Sequence, residues 1–159
     1  MMKTADLVDQ HDALVRFCDL PFLKFGRVKA FCGPIATVKC FEDNVILKAM
    51  LQEPGEGRVL VADAGGSTRC AVVGDMLATL LRDSGWAGIV INGTIRDCDE
   101  IDAMEVGVRC LATSPKKSAK DGYGYRDIPV SFGGVTFVPG HWAYCDGDGV
   151  LVSEERLVG

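Results

Sequence analysis

The chain has 159 residues, with 22 acidic against 17 basic side chains, a net charge of −5 and 48% hydrophobic residues. A chain of this size and composition buries a real hydrophobic core, so we predict a single domain over residues 1–159. The acidic balance argues against a nucleic-acid binder, because phosphate binding needs clustered Lys and Arg. Residues 1–12 are charged and no apolar run follows them, so we predict neither a signal peptide nor a membrane span, and a cytoplasmic protein.

Helix and strand patterns alternate along the first part of the chain. Thr4 is placed to cap a helix over residues 5–16, and residues 34–41 show the β-branched alternation of a strand. FEDN at 41–44 opens a second helix, and residues 58–63 are typical of a buried strand. The apolar face of the second helix is predicted to contain Val45, Ile46, Ala49 and Met50.

A similar strand, turn and helix unit follows. AGGS at 64–67 is predicted to form a turn, and residues 76–85 a helix that ends at Gly85. Residues 87–92 form another apolar strand pattern, after which Arg96 and Asp97 open a further helix. Because two such units stand in succession, the pattern favours an α/β fold with parallel strands joined by crossovers.

The C-terminal part is predicted to be rich in strands. Residues 107–113 fit a further central strand, and the polar residues 114–127 fit a surface loop. Strand patterns separated by GG, PG and DGDG turns then follow at 128–132, 135–138, 142–145 and 150–152.

The seven cysteines are an odd number and include no C-x-x-C pair. This argues against both a disulfide framework and a zinc site, and most of the cysteines are expected to be small buried groups. Cys98 lies in an acidic stretch, so we do not predict it as a nucleophile.

Two turns follow predicted strands and precede predicted helices, the position where open α/β sheets bind ligands. The candidate residues of these turns are Gly74, Asp75, Met76 and Leu77 in the first, and Arg96, Asp97 and Glu100 in the second. The guanidinium of Arg96 matches the two oxygens of a carboxylate. Asp97 and Glu100 offer the hard oxygen ligands that suit Mg²⁺ or Mn²⁺.

The same residues also have structural interpretations. Asp97 followed by Glu100 resembles a capping box at a helix N-terminus, and Asp75 after Gly74 resembles a plain N-cap. From spacing alone capping is the stronger interpretation, and an isolated arginine such as Arg96 is usually a surface residue.

A resemblance over nearly the whole chain favours the chemical interpretation. The matching stretches are FEDN at 41–44, AGGS at 64–67, GDMLA at 74–78, GWAGIVINGTIRDCDE at 85–100 and SPKKS at 114–118. They resemble the family called regulator of ribonuclease E activity A and its relatives, the metal-dependent 4-hydroxy-4-methyl-2-oxoglutarate and 4-carboxy-4-hydroxy-2-oxoadipate aldolases. The aldolase signature of that family is an Asp, a fixed spacer, Arg-Asp, two residues and an acid, which Asp75, Arg96, Asp97 and Glu100 reproduce.

The resemblance implies a role for each of these residues. Arg96 would hold the carboxylate of the pyruvyl group, and Asp97 would hold a divalent metal directly or through water. Asp75 would position a water for proton transfer, and Glu100 would support the water shell of the metal. Residues 74–77 would contact the substrate through their backbone.

The resemblance also implies a fold, an assembly and an activity. The implied fold is a layered β/β/α swivelling domain, assembled as a ring-shaped homotrimer or a higher oligomer. The implied reaction cleaves 4-hydroxy-4-methyl-2-oxoglutarate and decarboxylates oxaloacetate through a shared pyruvate enolate.

Three alternatives stay open at this point. The protein could be a non-catalytic regulator that binds and inhibits ribonuclease E, or its physiological substrate could be another small oxo acid. A lysine-based aldolase is the mechanistic rival, for which Lys39 is the only lysine within a clear strand pattern.

Overall fold

The computed structural model describes residues 2–158 of the chain. Four helices lie in this range: α1 (Thr4–His11), α2 (Val45–Leu51), α3 (Asp75–Asp83) and α4 (Cys98–Asp102). The strands are β1 (Val15–Cys18), β2 (Leu23–Phe25), β3 (Phe31–Lys39), β4 (Val59–Asp63), β5 (Gly88–Asn92), β6 (Thr94–Ile95), β7 (Val108–Cys110), β8 (Ala112–Thr113), β9 (Tyr125–Arg126), β10 (Val130–Phe132), β11 (Val135–Phe137), β12 (Trp142–Cys145) and β13 (Val150–Ser153). Within residues 2–158, no helix is long and apolar enough to cross a membrane.

One mixed sheet organises the molecule, with its strands in the order β1-β13-β12-β3-β4-β5-β7-β2. The central strands β3, β4 and β5 are parallel, so the predicted crossover units are confirmed. Antiparallel β12, β13 and β1 extend the sheet on one side, and β2 pairs antiparallel with β7 at the other edge. The predicted strand over 107–113 is split, because β7 pairs with β5 whereas β8 leaves the sheet to pair with β6.

The two faces of the sheet are covered by different layers. On β4, Leu60 and Ala62 face the core beneath the helices, whereas Val59 and Val61 belong to a second core that includes the hairpin β10–β11. Because successive side chains of a strand point to opposite faces, a strand buried on both faces is apolar throughout. The α/β class and the β/β/α layering implied by the resemblance are therefore confirmed.

The predicted helix over residues 5–16 is wrong in its second half. Helix α1 ends at His11, and Val15 begins β1, which pairs antiparallel with β13. Thr4 does not cap this helix, because its backbone N–H and its hydroxyl both donate to the Asp146 carboxylate, each at 2.7 Å. Pairing with a strand from the far end of the chain has overridden a local helical pattern.

The apolar face predicted for the second helix is half right. Met50 is buried and Ile46 packs against the core, but Val45 and Ala49 are exposed, and Leu47 and Leu51 are buried in their place. The helix begins only at Val45, and Asp43, just before it, is buried and accepts the Val45 N–H at 3.1 Å. The polar residues Asn44, Lys48 and Gln52 line the site described below.

All seven cysteines are free thiols, and five of them are buried, as the sequence predicted for most. Burial raises the pKa of Cys40, Cys110 and Cys145 to about 12. These three thiols are therefore protonated at neutral pH and act as packing groups.

Candidate active site at the start of helix α3

Backbone pairing brings the two predicted turns together. Val73 forms a parallel bridge with Ile95, and the Arg96 N–H donates to the Val73 carbonyl at 2.9 Å. The residues that follow each bridge partner therefore lie side by side. The Asp75 N–H accordingly donates to Oδ2 of Asp97 at 3.1 Å.

The first turn of α3 presents backbone donors at this point. Gly74 is the N-cap residue, and the first bond of the helix runs from the Ala78 N–H to the Gly74 carbonyl at 3.0 Å. The amides of Asp75, Met76 and Leu77 precede that bond, and Asp97 accepts the first of them. Helix N-termini attract anions through such amides and through the helix dipole, so Met76 and Leu77 are suited to bind a carboxylate.

Asp97 has an unusual backbone conformation. Its φ of 54° and ψ of 39° lie in the left-handed region, which Asp and Asn tolerate better than most residues at a cost of about 1 kcal/mol. Its carboxylate turns back to α3 and makes no capping bond to α4. The capping-box interpretation of Asp97 and Glu100 is therefore wrong for α4, and Asp75 is the first residue of α3 rather than its N-cap.

Gly74 allows the close approach of Arg96 and Asp97. A Cβ atom at Gly74 would lie 2.8 Å from Oδ2 of Asp97 and 3.4 Å from Cγ of Arg96. Its φ of −123° is extended and open to any residue, so the constraint comes from neighbouring side chains and not from the backbone.

Substitution Gly74→Ala should displace these two side chains without unfolding the protein. We expect a loss of about tenfold in turnover of the substrates proposed below, because small misplacements of substrate-holding groups are costly. The melting temperature should stay close to that of the wild type. Gly147→Ala is the matched control, since a Cβ there meets no atom within 4 Å, and equal turnover in the two variants would contradict this role for Gly74.

The two turns open onto a cavity of about 710 Å³. The predicted site residues that line it are Gly74, Asp75, Met76, Leu77, Arg96 and Asp97. Glu100, the remaining predicted site residue, is exposed on α4 and is not part of the lining. Lys39, the candidate of the lysine-based alternative, is exposed at the end of β3 and also lies outside the lining.

The sequence analysis missed several residues that line the cavity. Asn44 and Lys48 come from the polar stripe of α2, and Lys117, Ser118 and Lys120 come from the segment predicted to be a surface loop. FEDN and SPKKS, two of the stretches shared with the family, contain or adjoin them. FEDN and SPKKS match the family together with the stretches around Gly74 and Arg96, and this shared match could have indicated that they belong to the same site.

The segment 114–127 is fastened to the body of the protein and is not a free loop. Ala71 bridges Lys117, the Ala119 N–H donates to the Glu42 carbonyl at 2.7 Å, and β9 pairs with β3. Asp43, only 3% exposed, accepts the N–H groups of Asp121 and Gly122 at 2.7 and 2.9 Å. The segment therefore carries its lysines to the cavity on a fixed backbone.

The Asp43 carboxylate is stabilised in its charged form. Burial raises its pKa, but the backbone N–H groups of Val45, Asp121, Gly122 and Tyr123 together lower the pKa by more, so it lies below the usual 3.8. A lowered folded-state pKa means that Asp43 contributes stability above pH 3.8, and that this contribution is lost as the pH falls through the folded-state value.

Removal of this buried carboxylate by Asp43→Ala should lower the free energy of unfolding at pH 7 by about 3 kcal/mol, because the N–H groups of Val45, Asp121 and Gly122 lose a charged acceptor. The difference from the wild type should shrink as the pH falls below 3.8 toward the lowered folded-state pKa, at which the wild-type carboxylate becomes protonated. Thermal melts from pH 7 to pH 3 measure both effects. Asp121→Ala, an exposed acid of the same segment, serves as control, and a pH-independent difference for Asp43→Ala would refute the assignment.

The donor chemistry of the cavity fits a hard divalent cation at Asp97. Its carboxylate lines the cavity and has one oxygen fixed by the N-terminus of α3. Within residues 2–158, no three His, Cys, Asp or Glu side chains converge as a complete ligand set. Mg²⁺ in proteins commonly keeps several waters and takes only one or two carboxylates, so a single carboxylate such as that of Asp97 is compatible with this mode of binding.

Comparison with known proteins places this arrangement in a family. The model of the RraA-like family, described as Aldolase/RraA, matches residues 4–152. A structure titled S-adenosylmethionine: 2-dimethylmenaquinone methyltransferase, from Geobacillus kaustophilus HTA426, is 48% identical, with a TM-score of 0.96 over 98% of this chain and 97% of that one. The RNA-processing inhibitor RraA from Thermus thermophilis is 38% identical, with a TM-score of 0.96 over 100% and 96% of the two chains. Streptomyces coelicolor RraAS2, of the RNase ES inhibitor RraA family, is 30% identical, with a TM-score of 0.74 over 94% and 78%.

Proposed function

The chain belongs to the RraA-like family, and from the shape and chemistry of its cavity we propose that it is a divalent-metal-dependent aldolase. The proposed substrates are 4-hydroxy-4-methyl-2-oxoglutarate and, through the same enolate, oxaloacetate. The observation that carries this proposal is the meeting of Asp97 with the first turn of α3, beside the side chain of Arg96. On this proposal, Arg96 would bind a carboxylate, the start of α3 would bind an anion and Asp97 would hold the metal, all within one cavity.

In the proposed reaction, Arg96 and the amides of Met76 and Leu77 hold the pyruvyl carboxylate. Loss of the C4 hydroxyl proton lets the C3–C4 bond break, so that C4 leaves as the ketone of one pyruvate. The bond electrons stay on C3 as the enolate of the other, and a proton added at C3 completes the second pyruvate. In oxaloacetate the C4 carboxylate leaves as CO₂, and C3 takes a proton in the same way.

Asp75 is the residue that we propose to move these protons. It is exposed on the first turn of α3, lines the cavity and adjoins Asp97 through its own N–H. We assign it the positioning of a water that exchanges protons with the C4 hydroxyl and with C3. A divalent cation held by Asp97, with Glu100 supporting its water shell, would stabilise the developing enolate charge.

Pyruvate release tests this proposal. Each substrate is incubated with the protein and Mg²⁺ or Mn²⁺, and in parallel with EDTA, and pyruvate is followed by a coupled lactate dehydrogenase assay. We expect metal-dependent release from both substrates. Release that survives EDTA would contradict the metal route, and no release from either substrate would contradict the enzyme assignment. A parallel incubation with S-adenosylmethionine and a menaquinone precursor addresses the activity for which the Geobacillus protein is named.

A second candidate function is inhibition of ribonuclease E. It is favoured by the 38% identity to the Thermus RNA-processing inhibitor over the whole chain. Such a regulator acts through its surface, so Asp97→Asn should inhibit ribonuclease E cleavage as well as the wild type does. The family resemblance also implies a homotrimer or a higher oligomer, which light scattering of the purified protein would measure.

A further inference from the structure

The cavity carries an excess of positive charge in a protein whose net charge is −5. Four cationic side chains line it, Arg96, Lys48, Lys117 and Lys120, against two carboxylates, Asp75 and Asp97. Within residues 2–158, the five ion pairs all lie elsewhere, and none includes any of these four cations. The positive charge is therefore available to a ligand.

The three lysines and Arg96 come from different elements, which are connected by segment 71–74. This segment is bridged to Ile95, just before Arg96, and separately to Lys117. Asn44 connects Lys120 with this segment. Its amide Nδ2 donates to the Val72 carbonyl at 3.2 Å, and its Oδ1 accepts from the Lys120 ammonium at 3.3 Å.

Lys48 completes this group from helix α2. It follows Asn44 by one helical turn, so both side chains lie on the same face, and both line the cavity. Lys117 and Lys120 are carried by the segment that Asp43 holds through the N–H groups of Asp121 and Gly122. Three lysines that line the cavity are thus carried by two fixed backbone segments.

We infer that Lys48, Lys117 and Lys120 form a subsite for a second carboxylate, which makes the cavity selective for dicarboxylic over monocarboxylic 2-oxo acids. This inference rests on the proposed function in one respect, the assignment of the first carboxylate to Arg96. Ammonium groups attract carboxylates as point charges with rotatable donors, so they suit a second carboxylate whose position differs between substrates.

The subsite should affect the two proposed reactions differently. In 4-hydroxy-4-methyl-2-oxoglutarate the second carboxylate keeps its charge and remains on a product. In oxaloacetate it loses its charge as CO₂ leaves, so an ammonium group that holds it stabilises the ground state more than the transition state. Loss of a lysine should therefore raise KM for both substrates, while kcat is preserved or increased only for oxaloacetate decarboxylation.

Two unreactive five-carbon probes test the subsite without turnover. 2-Oxoglutarate and 2-oxovalerate share the 2-oxo acid end and differ in the second carboxylate, and calorimetry measures the Kd of each in the presence of Mg²⁺. We expect the wild type to bind 2-oxoglutarate about tenfold more tightly. Lys48→Met, Lys117→Met and Lys120→Met should each weaken the binding of 2-oxoglutarate and leave the Kd of 2-oxovalerate unchanged. The ratio of the two Kd values should therefore move closer to one.

Lys116→Met is the matched control, since Lys116 is exposed and does not line the cavity. This variant should keep the wild-type ratio of the Kd values for the two probes. Equal affinity of the wild type for the two probes, or a ratio that none of the three substitutions changes, would overturn the subsite. These outcomes are separable from failure of the proposed function. If the protein prefers 2-oxoglutarate because of its lysines but releases no pyruvate, only the aldolase proposal is refuted. If it releases pyruvate but binds the two probes equally well, only the subsite is refuted.

Discussion

Replacement of Arg96 by lysine is expected to lower kcat/KM for oxaloacetate by about 100-fold, although the charge is retained. The planar guanidinium donates two parallel hydrogen bonds to a carboxylate, and an ammonium group cannot reproduce that geometry. Steady-state kinetics of the purified variant measure the effect.

The control for this substitution is Arg82→Lys. Arg82 lies on α3, forms an exposed ion pair with Asp83 at 2.8 Å and does not line the cavity. It should keep the parental kcat/KM, because exposed ion pairs contribute little to stability. If Arg96→Lys behaves like Arg82→Lys, Arg96 does not hold the carboxylate of the substrate.

Asp97→Asn is expected to separate the structural role of this residue from its chemical role. Asn also tolerates the left-handed backbone, and its amide oxygen can still accept the Asp75 N–H, so stability should change by no more than about 1 kcal/mol. The charged oxygen ligand is lost, so kcat should fall by about 100-fold or more and Mg²⁺ binding should weaken with it. Thermal melts, calorimetry with Mg²⁺ and pyruvate release measure the three quantities.

Asp99→Asn provides the matched control, since Asp99 is an exposed acid of α4 two residues away and does not line the cavity. It should retain turnover and Mg²⁺ affinity. A folded Asp97→Asn protein with the parental rate and the parental Mg²⁺ dependence would show that Asp97 serves only as an acceptor for helix α3.

Local sequence patterns were sufficient to predict the parallel centre of the fold. Buried strands such as β4 and β5 are continuous apolar runs, and the turns after them are marked by glycines and by the polar starts of helices. The turns at Gly74 and Arg96 were predicted as separate ligand-binding turns, and the parallel bridge between Val73 and Ile95 brings them together outside the main sheet. The structure places six of the seven predicted site residues in one cavity.

Long-range contacts decided the features that were predicted wrongly. Residues 15–18 form a strand because β13, from the other end of the chain, offers an edge for pairing. Just before α2, Asp43 is buried against Asp121 and Gly122, which belong to a distant segment that the local pattern does not reveal. That segment has the composition of a surface loop, so its placement of Lys117 and Lys120 at the cavity has no local signature.

The central claim is that this cavity forms and stabilises a pyruvate enolate, and hydrogen exchange at C3 of pyruvate measures that step alone. Pyruvate is incubated with the protein in D₂O, and loss of the methyl signal is followed by proton NMR, with Mg²⁺ and with EDTA. The account predicts exchange well above the buffer rate with Mg²⁺, abolished by EDTA and strongly reduced in Arg96→Lys and Asp97→Asn. Exchange at the buffer rate in the Mg²⁺-loaded wild-type protein would contradict it.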